Sequence, residues 1–126
     1  MATVRRKKAS KKDFILLRAS AMFREKGFSA TSMRDLAEMV GIEAASLYNH
    51  IQSKSEILQE IIFRMANDCN VHLEELESSN LSSIKKIESL IRFHVQMMIS
   101  KCDDYTVMIN EWMHLSEPYL TNFNIQ

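Results

Sequence analysis

An all-α fold is the first reading of this 126-residue chain, and three observations carry it. Only 2 Gly and 1 Pro are present, which leaves few positions for tight turns. Apolar residues recur at steps of three and four along most of the chain. The 9 Met agree, because methionine is a good helix former and fills irregular cores. Hydrophobic content of 46% is enough for a packed core, and 25% charge describes an ordinary surface. The length bounds the architecture at one domain, or a small domain with part of a second.

The elements follow in order. The first dozen residues lack apolar periodicity and carry Arg5, Arg6, Lys7, Lys8, Lys11 and Lys12, so 1–12 reads as a flexible basic arm. Ile15, Ala19, Met22 and Phe23 then form one face of a first helix. Gly27 ends it, since a residue without Cβ takes a left-handed cap cheaply, and Phe28 stands where a Schellman cap packs an apolar side chain. Ser32 and Asp35 resemble a capping box, with Asp shorter than the usual Glu or Gln. Met33, Leu36, Ala37 and Val40 make the face of a second helix over 33–40, and Gly41 stops it.

A short third helix spans about 44–50. Ser53 with Glu56 is a cleaner capping box and opens a long fourth helix. Its face is Ile57, Leu58, Ile61, Ile62, Met65, Ala66, Cys69, Leu73 and Leu76, and the polar run at 77–80 ends it. Leu81, Ile84, Ile87, Ile91, Val95, Met98 and Cys102 form a further stripe, which Asp103 and Asp104 break. Tyr105, Met108, Ile109, Trp112 and Met113 form another, ended by the turn at 116–118. Pro118 opens a seventh helix at its first turn, where the missing N–H costs nothing. No repeat, low-complexity segment or internal linker interrupts the series.

Net charge is +0, but it is divided. Residues 1–55 hold 11 Lys+Arg against 5 Asp+Glu, and residues 56–126 hold 5 against 11, so the halves carry +6 and −6. Only the first half is suited to a polyanion. For the arm alone, a merely solvated tail is an equal reading.

Several classes are excluded. Arg18, Arg24, Glu25 and Lys26 interrupt any signal-peptide core after the basic start, and no run reaches the roughly 18 apolar residues of a membrane span. Cys69 and Cys102 fall in apolar stripes and read as reduced core thiols, so a cytoplasmic protein is expected. Cys69, His72, His94, Cys102 and His114 lack the spacing that pre-organises a tetrahedral metal site, and no metal or cofactor is expected. There is no Gly-rich phosphate loop and no nucleophile–base arrangement, so no enzyme is expected either.

The third helix carries the functional signal. With Leu47 as the buried reference at about 100° per residue, Ile51 points the same way, and Ala44 and His50 lie to either side. Ala45 and Asn49 point away, flanked by Ser46 and Tyr48. Such a face is small at its start and bears one amide further along. Small residues let a backbone approach base edges in the major groove, alanine methyls meet thymine methyls, and an amide matches adenine N6/N7. Lys54 lies in the first turn of the next helix, whose N–H groups favour an anion. The bland alternative is a plain three-helix core with polar residues in water.

Phe23, Gly27, Phe28, Thr31, Ser32, Leu36, Ala37, Gly41, Leu47, Tyr48, His50, Lys54 and Leu58 stand at a spacing that resembles the DNA-binding domain of the TetR family of bacterial transcriptional regulators. The resemblance implies a homeodomain-like helix-turn-helix domain over 13–52 and a helical effector-binding and dimerisation domain over 53–126. It implies a homodimer on a palindromic double-stranded DNA operator, a repressor released by a small molecule. It also implies that Thr31, Ser32, Tyr48, His50 and Lys54 hold phosphates while Arg34, Ala44, Ala45, Ser46 and Asn49 approach bases. Arg34 suits guanine O6/N7; a solvated surface charge is its alternative.

The sequence departs from the family pattern in places. Glu43 replaces the usual Ser cap of the reading helix, Ala45 a frequent Gly or Pro, and Ile51 a frequent Phe. Family members also continue into further helices, so the chain is expected to be a fragment, incomplete at its C-terminus. Met97, Met98, Met108, Trp112 and Met113 are ordinary core residues in one reading. In the regulator reading they line a cavity for an apolar effector such as an acyl thioester, a steroid-like lipid or a drug. The rival from another class is a helical adaptor whose 81–113 stripes bind a partner helix without DNA.

Overall fold

Serines cap four helices of the computed structural model, which describes residues 10–115 together with Glu117 and Thr121. Helix α1 spans Lys11–Lys26, with Ser10 as its cap. The Ser10 hydroxyl accepts from the Asp13 amide at 3.1 Å, and the Asp13 carboxylate accepts from the Ser10 amide at 3.2 Å. This capping box begins the helix two residues before the expected boundary. Lys11 and Lys12 are therefore helical and not part of an arm. Lys12 pairs with Glu60 and Glu56 of the fourth helix, which raises its pKa through the Glu60 hydrogen bond first. The rest of the basic arm and the expected turn and helix around Pro118 lie outside the described residues.

Helix α2 is Met33–Val40 and α3 is Ala44–His50. Ser32 and Asp35 complete a reciprocal capping box, so the shorter acid suffices. The Ser53–Glu56 pair, expected to be the cleaner box, is only half of one. The Ser53 hydroxyl accepts from the Glu56 amide, but the Glu56 carboxylate takes the Gln52 amide instead. Helix α4 runs Lys54–Ser78.

Gly41 stops α2 as expected, but the cap at Gly27 differs from expectation. Gly27 has φ 90° and ψ 153°, outside the left-handed helical region, and the Phe28 amide donates to the Glu111 carboxylate rather than back into α1. No Schellman cap forms there. One forms at Gly41 instead (φ 79°, ψ 31°), where the Gly41 amide donates to Glu38 and the Ile42 amide to Ala37.

Helix α5 spans Ser83–Ser100, α6 spans Cys102–Glu111, and a 3-10 turn covers Trp112–His114. The break falls at Lys101, not at Asp103 and Asp104. Both aspartates sit in the first turn of α6, where a carboxylate complements the helix dipole. Asp103 also pairs with Arg24 of α1 at 2.9 Å.

One core joins these elements. Ile15, Leu16, Ala19, Met22 and Phe23 of α1 pack with Leu36, Ala37, Leu47 and Ile51, and with Ile57, Leu58, Ile61 and Ile62 of α4. Val107 and Leu115 enter the same cluster, so it runs across the boundary expected at residue 52. The expected stripe of α5 behaves otherwise. Ile84, Ile87, Ile91, Val95 and Met98 are all exposed, Ile84 by 78%, and Met97 is the buried residue of that helix. Leu73, Ile109 and Met113 are exposed as well. Cys69 and Cys102 are half-buried free thiols rather than core residues. Burial, with Asp68 second, pushes the Cys69 thiol up, so it stays protonated.

Candidate nucleic-acid interface

Leu47 sets the orientation of α3. Its side chain is 0% exposed, and burying a leucine is worth about 1.5–3 kcal/mol, which holds the helix in one rotation. Ile51 is buried beside it, in the extended cap position. With that edge inward, Ala44, Ala45, Ser46, Tyr48, Asn49 and His50 are all exposed. Glu43 caps the helix with no side-chain hydrogen bond, as its departure from serine foretells.

An open groove of about 570 Å³ runs beside this helix, lined by Ser32, Arg34, Tyr48 and Lys54 among others. Its floor is rigid. Asp35 accepts from the Ser32 backbone, which holds its carboxyl below the usual range, with the Ser32 hydroxyl and Lys26 adding to the effect. Lys54 is the first residue of α4, and its ammonium donates to the Phe28 carbonyl at 2.8 Å and lies 4.4 Å from the Phe28 ring centre. Ser29 O is 3.5 Å away. A lysine ammonium has three donors, so one remains for an anion in the groove.

Thr31 does not fit the role expected of it. It lines the groove wall but is 1% exposed, its hydroxyl donates to the Gly27 carbonyl at 2.8 Å, and its amide to Phe28 at 3.2 Å. Both donors are used inside the protein, so Thr31 shapes the loop and does not offer its side chain to a phosphate. The groove also takes in Ser29, Ala30, Met33, Gln52 and Ser53, which the sequence reading did not assign to the interface. Their signal was available only as adjacency to α3 and to the two caps.

The five residues expected around an effector are not gathered in one cavity. A cavity of about 340 Å³ between α4 and α5 is lined by Asp68, His72, Glu75, Phe93, Met97 and Lys101 among others. Met97 is the member of the expected set on its wall. Met108 and Trp112 pack against the core of the N-terminal helices, while Met98 and Met113 are exposed, Met113 by 63%. His72 stacks on Phe93, with ring centres 4.1 Å apart, and its Nε2 is buried without a partner. Among the described residues no three His, Cys, Asp or Glu side chains gather as a metal site.

Residues 15–61 match the model of the bacterial regulatory proteins of the tetR family. The segment 15–61 belongs to the TetR family. It is 29% identical over 108 residues to the HTH-type transcriptional repressor KstR2 of Rhodococcus jostii (strain RHA1), covering 86% of this chain and 53% of that protein. It is 35% identical over 98 residues to the icaADBC biofilm-operon negative transcriptional regulator IcaR of Staphylococcus aureus (strain Newman), covering 68% and 53%. The solved structure of the ketosteroid transcriptional regulator KstR2 of Mycobacterium tuberculosis superposes with a TM-score of 0.87 at 24% identity, over 94% of this chain and 61% of that one. The chain thus spans about half the length of the curated relatives it matches.

Proposed function

We propose that the protein is a cytoplasmic, sequence-specific DNA-binding transcriptional regulator, a repressor that binds a palindromic operator as a homodimer and is released by an apolar small molecule. The observation that carries this reading is the exposure of Ala45 and Asn49 opposite a fully buried Leu47. A major groove about 12 Å wide admits a helix with that face. Ala44, Ala45, Ser46, Asn49 and Arg34 approach bases, and Ser32, Tyr48, His50 and Lys54 meet phosphates. The repressors among its relatives support the same class.

Two copies hold their reading helices about 34–36 Å apart, one turn of DNA. An effector between the helices beyond α4 shifts the equilibrium only if it binds the released state better. Because α4 begins with Lys54, beside the reading helix, a tilt of α4 changes the distance between the two heads. Lys54→Ala and Tyr48→Phe are expected to weaken binding to all duplexes and to flatten the salt dependence, the first by about one unit of slope. Selection of duplexes from a random pool tests the whole reading: recovery of a palindrome supports it, and recovery of no consensus counts against a sequence reader.

The exposed face of α5 favours a second reading, a helical adaptor that docks a partner helix and binds no DNA. Mobility shift on random duplex separates the two. The regulator retards duplex at low salt and releases it at high salt; the adaptor does neither.

A further inference from the structure

The Phe28 main chain is gripped from two sides. On one, its amide donates to Glu111 Oε1 at 3.2 Å, a hydrogen bond across 83 residues. On the other, its carbonyl accepts from Lys54 Nζ at 2.8 Å, and its ring lies under the same ammonium. Glu111 ends α6 and its side chain is only 14% exposed. Its other oxygen faces His114 Nε2 at 3.2 Å, and the His114 ring lies 5.3 Å from Phe28. The loop that carries the groove's Ser29 and Ala30 is therefore anchored on α6, and Lys54 is anchored on the loop.

From this geometry we infer that Glu111 is a positioning residue for Lys54, acting through Phe28, and so sets the phosphate affinity of the groove. The inference rests on the DNA-binding reading above. Lysine has a flexible four-carbon stem, and ordering it costs rotamer entropy. A fixed Phe28 carbonyl and ring meet that cost before DNA arrives and leave the third N–H of Lys54 for a phosphate oxygen. Removing the Glu111 acceptor leaves a partly buried Phe28 amide without its partner, so Phe28 shifts toward water and carries with it the ring and carbonyl that seat the lysine, against the hold of the Thr31 amide on that same carbonyl.

Nothing in the periodicity of the sequence marks this contact. Glu111 lies far from the motif and on a helix that belongs to the second expected domain.

The test compares the 126-residue chain with its Lys54→Ala, Glu111→Gln and Glu111→Asp variants and with the Glu111→Asp/Lys54→Ala double variant, on random-sequence duplex over stepped KCl. Glutamine keeps an oxygen acceptor at the same reach; aspartate keeps the charge but withdraws it by one methylene. Glu111→Gln is expected to bind within about twofold of the wild type, since charge is not what holds Phe28. Glu111→Asp is expected to lose several-fold in affinity and about one unit of salt slope, matching Lys54→Ala, with no further loss in the double variant. Faster hydrogen exchange of the Phe28 amide in Glu111→Asp, with the melting transition retained, is expected alongside. Additive losses in the double variant, or wild-type binding by Glu111→Asp, would overturn the role of Glu111 while leaving the DNA-binding reading intact. A wild-type chain that retards no duplex at any salt would overturn both.

Discussion

Helices α3 and α5 carry apolar residues at the same helical spacing, yet they meet opposite fates. In the seven residues of α3, one leucine is fully buried and fixes every other side chain by rotation. In the eighteen residues of α5, a stripe of isoleucines faces water and Met97 alone is buried. Periodicity forecasts a helix and the direction of its apolar face. Burial needs something opposite that face, and for α3 the packed helices α1, α2 and α4 supply it.

The largest expected effect tests this contrast directly. Leu47→Ala should cost about 2–5 kcal/mol in urea unfolding, because it empties a filled site. Ile91→Ala, at a position 59% exposed, should stay within about 0.5 kcal/mol. Comparable losses at the two positions would show that the α5 face is covered in solution.

A smaller effect sharpens the description of the head. Glu43→Ser supplies the missing cap of α3 and should raise stability by about 1 kcal/mol in thermal unfolding. It also removes a negative charge from the end nearest DNA, so duplex affinity should rise with it. A stabilised variant with weaker binding would mean that Glu43 pairs with a cation in the complex.

The smallest effect is a matter of pH. The Asp35 carboxyl is depressed below 3.8, chiefly by the Ser32 backbone hydrogen bond. A depressed carboxylate contributes stability that is present above its unfolded value and lost as pH falls through its folded value. The melting-temperature gap between wild type and Asp35→Asn should therefore be present at neutral pH and shrink as pH drops below 3.8. A gap that widens in acid would contradict the assigned hydrogen bonds.

Much of the head was legible because its signals are local. Ser32, Gly41 and the alternation around Leu47 sit within a few residues of what they control, and α2 and α3 begin and end where those residues place them. The Ser10–Asp13 box was equally local and was overlooked under the run of lysines, which set the start of α1 two residues late. What stayed hidden depends on distant partners. Thr31 looks like a surface hydroxyl until Gly27 folds over it, and the Phe28 amide looks like part of a helix cap until Glu111 arrives from α6. The burial expected of the α5 stripe went astray for the same reason: periodicity marks a face but not the element that will meet it.

The assignment of Asn49 as a base reader is best tested by one ratio. The affinity of the chain for its selected duplex, divided by that for random duplex at the same salt, is to be measured with and without Asn49→Ala. The ratio should fall by roughly tenfold or more, the loss of about 1–3 kcal/mol of discrimination, while random-duplex affinity changes little. Equal losses on both duplexes would show that Asn49 holds the backbone and reads no base.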